Sequence, residues 1–130
     1  MPEGDTTNMS NDWQERLLKA DINISSGGDN TIIAPGSGDM PAAWENGAQF
    51  IAIDQINLVP SGAVTVQFKD GSTAYGGAYA LSQNQGFVLE NSMRHQDGVI
   101  TLSPNKNFVI NLGSGVQVSG FVRYRIRSSN

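Results

Sequence analysis

The sequence predicts an all-β protein, an antiparallel β-sandwich or jelly roll of eight or nine short strands. Three observations lead to this prediction. Several short segments alternate apolar and polar residues, which is the period of a strand with one buried face. Clusters of Gly, Asn, Asp and Ser separate these segments about every 8–12 residues, as turns do in sandwiches. No helical pattern lies between the predicted strands, so a parallel sheet with helical crossovers is not expected.

The composition suits a single loop-rich β domain. The chain has 130 residues, only 38% of them hydrophobic and 15% charged, with 15 glycines. Cysteine is absent, but a chain of this length can bury enough apolar surface to fold without disulfides. No apolar run approaches the ~20 residues that cross a bilayer, and the N-terminus lacks the basic and apolar regions of a secretion signal. We therefore expect no membrane partner.

The clearest element is a hairpin within Ser61–Ser82, around which the rest of the chain is organised. Residues 63–68 alternate apolar and polar side chains and predict its first strand. Asp70-Gly71 predicts a tight turn, since Gly tolerates positive φ and Asp can bond its own backbone. The second strand is predicted over residues 73–81, where Gly76-Gly77 indicates a bulge or a close approach by another backbone.

Further strands are predicted on both sides of this hairpin. Residues 50–59 form the longest apolar segment, and its inward phase changes at Asp54-Gln55, which predicts a bulge there. In the strand near the C-terminus that contains Phe108, the adjacent Val109 is expected to face outward. The other strands are predicted at residues 21–25, 31–34, 87–89, 98–102, 108–112 and 116–126.

Residues 1–19 are predicted to form an N-terminal arm with one short helix, and residues 20–130 to form the sandwich domain. The helix is predicted over residues 10–19, which begin with a capping pattern. Trp13 and Leu17 lie four residues apart and would share one side of that helix. Either they cap one end of the sandwich, or they anchor the protein on a partner's surface.

The residues needed for catalysis or metal binding are scarce. His95 is the one histidine and there is no cysteine, so a site with several His or Cys ligands is excluded. No serine lies in a G-x-S-x-G nucleophile elbow, and no D-x-D-x-D-G calcium loop occurs. We therefore predict a protein that is not an enzyme, with no catalytic residues, no metal and no cofactor, in which His95 is a solvated loop residue.

Charge is unevenly distributed along the chain. Residues 1–60 carry a net charge of −7 and residues 61–130 one of +3. The negative total argues against a general nucleic-acid binder, so no nucleic-acid partner is expected. Arg123, Arg125 and Arg127 recur at every second position of the last strand and would share one face. They form either an ordinary solvated face that blocks edge aggregation, or a stripe that pairs with carboxylates of a protein partner.

Two stretches of the chain resemble a group of small proteins encoded among phage virion genes. They are SGAVTVQFKDGSTAYGGAYALSQNQGFVL and NKNFVINLGSGVQVSGFVRYRI, and the likeness covers roughly residues 20–127. Members of this group look like capsid decoration (cement) proteins with a jelly-roll fold. The resemblance implies a non-enzymatic protein that binds the outer surface of an icosahedral phage head and clasps neighbouring subunits of the major capsid protein.

The resemblance also implies a location and an assembly state. The protein would be made in the host cytoplasm and would lie on the outside of the virion. It would form a homo-oligomer, a dimer or a trimer, as is common for proteins placed at symmetry axes. The candidate partner-binding residues are Trp13, Leu17, Arg123, Arg125 and Arg127, of which the first two lie in the arm, outside the likeness.

An alternative function is a receptor- or carbohydrate-binding jelly-roll module of a phage tail fibre or baseplate. Sugar binding would use exposed aromatic residues near polar loops, and Trp44, Tyr75 and Tyr79 are candidates. The two tyrosines are expected to share a face only if Gly76-Gly77 forms no bulge. Exposed aromatics clustered at loop tips would favour glycan binding, and an aromatic-poor flat face would favour binding to a shell.

Overall fold

The computed structural model describes residues 17–34, 49–91 and 98–128, which form two antiparallel sheets stacked as a sandwich. Within these ranges the chain has nine strands and no helix, so the predicted all-β sandwich is confirmed. The strands are β1 (Leu18–Ile24), β2 (Gly28–Ile33), β3 (Gln49–Pro60), β4 (Val64–Asp70), β5 (Thr73–Leu81), β6 (Phe87–Glu90), β7 (Ile100–Thr101), β8 (Phe108–Leu112) and β9 (Val118–Ser128).

The strand pairings are nested around the predicted hairpin. The first sheet has the order β1-β9-β3-β6, with β7 also paired to β3, and the second has the order β2-β8-β4-β5. Hence β4 pairs with β5, β3 with β6 and β7, β2 with β8, and β1 with β9. The chain is one long antiparallel ribbon with Gly71, at φ +65°, in its tip. The ribbon closes on itself where β9 pairs with β3 and β8 pairs with β4.

The core lies between the two sheets and is built from alternating residues of both. In β4 the predicted inward residues Val64, Val66 and Phe68 are all buried. The Phe68 ring is the centre of an aromatic group, with its centroid 5.8–5.9 Å from those of Phe108, Tyr79 and Phe87. Ring pairs at such spacings add specific stabilisation to the area that they bury.

The bulge predicted at Asp54-Gln55 is confirmed. The register between β3 and β9 shifts between Ile53 and Gln55, so that Asp54 is the additional residue. The shift keeps apolar side chains of both phases in the core, and Ile53 and Ile56 on either side of it are each 0% exposed. The bulge also places the carboxylate of Asp54 on the outer face of the first sheet, which matters for the site described below.

The bulge predicted at Gly76-Gly77 is also confirmed, but its consequence differs from the expectation. Tyr79 pairs with Val66 and Tyr75 with Phe68, so three residues of β5 face only Gln67 of β4. The Gln67 Nε2 donates a hydrogen bond of 3.1 Å to the Gly76 carbonyl, which holds the bulge in place. Because the bulge adds two residues rather than one, both tyrosines stay on the core side. The expectation that a bulge would separate them is wrong.

The sandwich begins earlier than predicted. Most of the predicted helix, including Trp13, lies outside the described residues, but its last two residues, Leu18 and Lys19, belong to β1. The prediction is wrong for these two residues, because the strand alternation extends back to Leu18, which is 4% exposed and packs in the core. Leu17, directly before the strand, is 38% exposed.

Two smaller predictions need a correction, and two others fall outside the described residues. The strand predicted at residues 31–34 begins earlier, at Gly28, where the Asn30 side chain donates to the Ser26 and Gly28 carbonyls and tightens the preceding turn. Val109 faces outward as predicted but is 4% exposed, because it lies between Thr31 and Lys69 of the adjacent strands. Trp44 and His95 lie outside the described residues.

Gly120 provides a test of the central pairing between β9 and β3. A Cβ at this position would collide with the Asn57 carbonyl and the Leu58 Cα, both backbone atoms that cannot rotate away. We expect Gly120→Ala to lower the free energy of unfolding by about 1–3 kcal/mol, the usual cost of overpacking. Urea unfolding should show a lower midpoint with an unchanged m-value.

Gly86→Ala is the matched control, because a Cβ at Gly86 meets nothing within 4 Å. This variant should unfold within about 0.5 kcal/mol of wild type. Equal midpoints for the two alanine variants would contradict the close approach of β9 to β3.

Candidate functional site

The three predicted arginines lie on the outer face of the first sheet. The residues that alternate with them in β9, namely Val122, Tyr124 and Ile126, are 0–3% exposed and face the core. The strand alternation therefore turns the arginine side chains away from the core, and the predicted shared face is confirmed. Arg123 is flanked by both β1 and β3 and lies in the middle of a sheet face, whereas Arg125 and Arg127 lie beyond the end of β1 and, in the described residues, pair only with β3.

Arg125 is held by its own sheet. Its Nη1 lies 3.1 Å from the Asp54 Oδ1, and the Asn91 Nδ2 donates to the same oxygen at 3.0 Å. Both members of the ion pair are half-buried, with side-chain exposures of 32% and 25%. Part of the Arg125 charge is thus compensated within the chain. This arginine therefore contributes more to holding β9 and β3 together than to attracting a partner.

Arg123 is held differently, over an aromatic ring. Its guanidinium carbon lies 5.5 Å from the centroid of Phe121, within the range of a cation–π interaction. On the adjacent strand, Asn57 pairs with Phe121 of β9 on one side and with Val88 of β6 on the other. Phe121 and Val88 therefore lie on the same face on either side of Asn57, and Val88 is 53% exposed.

We call this surface the arginine face. It is the outward-facing side of β9 with its neighbours in β3 and β6, and it consists of Val59, Val88, Phe121, Arg123, Arg125 and Arg127. Phe121, Val59 and Val88 lie around the polar Asn57, the arginines continue along β9 to one side, and Glu90 lies across Gln55 from Arg123. Aromatic residues and arginine are enriched in protein–protein interfaces.

Charges at the β1 side of the arginine face are partly balanced. Lys19 lies opposite Arg123 in the β1–β9 register, which places two positive charges side by side. The Lys19 Nζ, however, pairs with the Asp21 Oδ1 at 3.1 Å, and both side chains are more than half exposed. Such a surface pair contributes little to stability, so Lys19 and Asp21 remain available to respond to a bound partner.

The outer face of the second sheet carries a separate polar network. The Lys69 Nζ lies 3.0 Å from both carboxylate oxygens of Asp29, and the Asn111 Nδ2 donates to the Asp29 Oδ1 at 2.7 Å. The hydrogen bond from Asn111, and then the one from Lys69, hold the pKa of Asp29 below its usual 3.8. This network joins β2, β8 and β4, and the outward-facing Val109 beside it is only 4% exposed.

A shallow groove of about 380 Å³ lies at one end of the second sheet. Its lining residues are Ala63, Val64, Thr65, Ala80, Leu81, Gly113 and Ser114. None of these side chains titrates near neutral pH, so the groove offers neither a general acid nor a general base. It can accept a small apolar or hydroxyl-bearing group, but it cannot perform acid–base chemistry.

Other site types have no counterpart in the described residues. In residues 17–34, 49–91 and 98–128, no group of three His, Cys, Asp or Glu side chains could hold a metal ion. No helix within the same ranges is long and apolar enough to cross a membrane.

The structure brings together only part of the predicted set of binding residues. Arg123, Arg125 and Arg127 share one face, Leu17 is exposed just before β1, and Trp13 lies outside the described residues. Sequence reasoning missed the pairing of Asp54 with Arg125, since the two residues are 71 positions apart. The bulge at Asp54 was predicted, but only the register between β3 and β9 shows that it directs the Asp54 carboxylate towards Arg125.

Comparison with known proteins does not assign a family. No protein-family model matches the chain, and no curated protein matches it at a significant level.

The Asp29 network gives a pH-dependent prediction. Because the folded-state pKa of Asp29 is lowered, its carboxylate stabilises the fold above about pH 3.8, and this contribution is lost as the pH falls through the lowered pKa. Wild type should therefore be more stable than Asp29→Asn at pH 7, and the difference should vanish in acid. Thermal unfolding of both proteins across pH measures it.

NMR titration of the Asp29 carboxyl carbon tests the cause of the shift. Asn111→Ala should raise the pKa of Asp29 towards 3.8, because it removes the 2.7 Å hydrogen bond. Asn23→Ala, on the other sheet, should leave it unchanged. An unaltered pKa of Asp29 in the Asn111 variant would contradict the assigned cause.

Proposed function

We propose that the protein is a non-enzymatic structural protein of a phage virion. It decorates the outer surface of an icosahedral head and clasps neighbouring subunits of the major capsid protein. It is made in the host cytoplasm and assembles as a homo-oligomer. The observation that carries this proposal is the arginine face, where Arg123 lies over Phe121 on the same sheet face as the exposed Val88. The resemblance of residues 20–127 to small virion proteins is part of this proposal.

The proposal includes a jelly-roll fold for the sandwich. In a jelly roll, an antiparallel ribbon folds over into two four-stranded sheets. The nested pairing of β4 with β5, β3 with β6, β2 with β8 and β1 with β9 supports this assignment, with β7 as an addition to β3. A sandwich of this kind offers a broad, rigid sheet face, as a protein bound to a shell requires.

The chemistry of the arginine face fits a partner that presents carboxylates around an apolar patch. Arginine pairs with carboxylates in a bidentate geometry, which fixes orientation as well as attraction. Phe121, Val59 and Val88 supply apolar area that a partner can cover. A protein that contacts several capsid subunits at once gains avidity beyond the affinity of each contact. Modest contacts on one sheet face can therefore hold the protein on a head.

The exposed tyrosines favour shell binding over the alternative of glycan binding. Tyr75 and Tyr79 lie along the edge strand β5, not at loop tips, and both share the face of the core residues of β4. Glycan sites need aromatic platforms beside convergent polar groups. In the described residues, the groove in the second sheet has no aromatic residue in its lining.

Reversal of one charge on the arginine face tests the proposal. Arg123→Glu replaces an attractive charge with a repulsive one, so we expect binding to phage heads to weaken about tenfold, the effect of losing ~1.4 kcal/mol. The remaining binding should depend less on salt, because fewer attractive charges are left to screen. Co-sedimentation of the purified protein with heads of the phage that encodes it, across salt concentrations, measures both effects.

The choice of Arg123 follows from the structure. Arg125→Glu would place a carboxylate against the half-buried Asp54 and could disturb the fold itself. Lys106→Glu is the matched control: it makes the same change of charge on an exposed turn outside the arginine face. Binding that is weakened equally by the Lys106 and Arg123 variants would indicate a net-charge effect and contradict a specific surface.

Adjacent leucines test the proposed role of the N-terminal region in binding. Leu17 is 38% exposed and Leu18 is 4% exposed. Leu17→Ala should leave the free energy of unfolding within about 0.5 kcal/mol of wild type and weaken binding to heads. Leu18→Ala should cost about 2–5 kcal/mol of stability, because it empties a core position. Urea unfolding and co-sedimentation separate the two effects, and unaltered head binding by Leu17→Ala would exclude Leu17 as an anchor.

A further inference from the structure

The edge strand β5 differs from every other long strand in its exposure. Eight of its nine residues are exposed, and only Leu81 at its end is buried. In the described part of the chain, β5 pairs with β4 alone, so its other edge presents backbone N–H and C=O groups. Such an edge is a template for another strand.

Native proteins usually protect such an edge with charge or proline, and β5 has neither. Among the described edge strands of four or more residues, β1 carries Lys19 and Asp21, β2 carries Asp29, and β6 carries Glu90. The sequence of β5 is TAYGGAYAL, without a charged residue or a proline. Two copies of β5 could therefore approach each other without charge repulsion, and β5 is the one of these four edge strands that has no charged residue.

The sequence of β5 is also nearly self-complementary about Gly77. In an antiparallel pairing centred there, Tyr75 lies opposite the partner's Tyr79, and Ala74 lies opposite the partner's Ala80. Gly76 then faces the partner's Ala78, so the three inner pairs join identical or similarly small residues, and only the outermost pair, Thr73 with the partner's Leu81, does not. A two-fold interface demands this reciprocity, because residue i must contact j while j contacts i.

The bulge fits this arrangement. Three residues of β5 lie between its tyrosines, where β4 offers only Gln67. A second β5 offers three residues opposite three, so the bulged segments match in length. Tyr75 and Tyr79 lie on the core side, where Tyr79 contacts Phe87 at 4.8 Å between ring centroids. They are 38% and 40% exposed, and pairing would place the rings of both copies side by side under one continuous sheet.

We propose that β5 pairs with β5 of a second copy of this chain in an antiparallel, two-fold dimer with Gly77 on the axis. The four-stranded sheet of each copy joins into one of eight strands. The pairing uses the open β5 edge of both copies, so the assembly closes at two chains. The dimer does not depend on the proposed virion role, because both arguments for it, reciprocity and the absence of charge, lie within β5.

Cysteine cross-linking tests the geometry directly, because the chain has no cysteine of its own. Directly opposed residues in an antiparallel pair have Cα atoms about 4.5–5.5 Å apart, within the range that a disulfide bridges. Gly77→Cys should therefore form a covalent dimer rapidly under mild oxidation. Thr31→Cys, on the exposed edge strand at the other side of the same sheet, should remain monomeric. Equal extents of cross-linking in the two variants would overturn the proposal.

Charge at the axis provides the second test. A Cβ at Gly77 meets nothing within 4 Å, so side chains can be added there without disturbing the monomer. Wild type and Gly77→Ala should sediment at twice the chain mass of 13.9 kDa. Gly77→Glu and Gly77→Lys should each sediment as monomers, and circular dichroism should show that both are folded. An equimolar mixture of the two variants should recover the dimer.

Each contrary result has a defined meaning. A wild-type protein that stays monomeric at its highest soluble concentration, or that forms a trimer, would overturn the two-fold pairing. Dimers of Gly77→Glu that persist would place the interface on another surface. Head binding is measured separately, so a monomeric protein would contradict the proposed homo-oligomer but not the proposed decoration of the head.

Discussion

The pairing of β9 with β3 is the interaction on which the rest of the structure depends. It runs from the pair Gln49–Ser128 at one end to the pair Pro60–Val118 at the other. This contact closes the ribbon into two stacked sheets and buries the inward side chains of both strands. It also brings Asp54 to Arg125 across 71 positions of sequence. Gly120 permits the close backbone approach, since any larger residue would meet the Asn57 carbonyl.

The closed sandwich has two surfaces of different character. The outer side of β9 becomes the centre of a sheet face, where side chains carry the chemistry: Arg123 over Phe121, and Arg125 on Asp54. The far edge of the second sheet is β5, which has no charged side chain, so its backbone N–H and C=O groups are what a partner can bind. A face with fixed charges suits recognition of a different protein, whereas an uncharged edge suits a copy of itself. A decoration protein that is also a dimer would use both.

Local patterns in the sequence were sufficient for the strands but not for the site. The alternation of Val64, Val66 and Phe68, and the bulge at Asp54, depend on neighbours in sequence and could be predicted. The partner of Arg125 depends on the register of two distant strands, which no local pattern encodes. The shared face of Tyr75 and Tyr79 could not be predicted without the size of the bulge in β5, which adds two residues and not one. The Gln67–Gly76 hydrogen bond holds this bulge. Leu18 was placed in a helix because capping signals precede it, while the strand register of β1 against β9 decides its conformation.

The most direct test of the account is a cryo-electron microscopy map of phage heads decorated with this protein. The account predicts density for the protein on the outside of the shell, with the arginine face against acidic side chains of neighbouring capsid subunits. In that map, Arg123 and Phe121 would be covered and the Asp29 network of the second sheet would face solvent. Heads without this density, or a protein bound with the arginine face towards solvent, would contradict it.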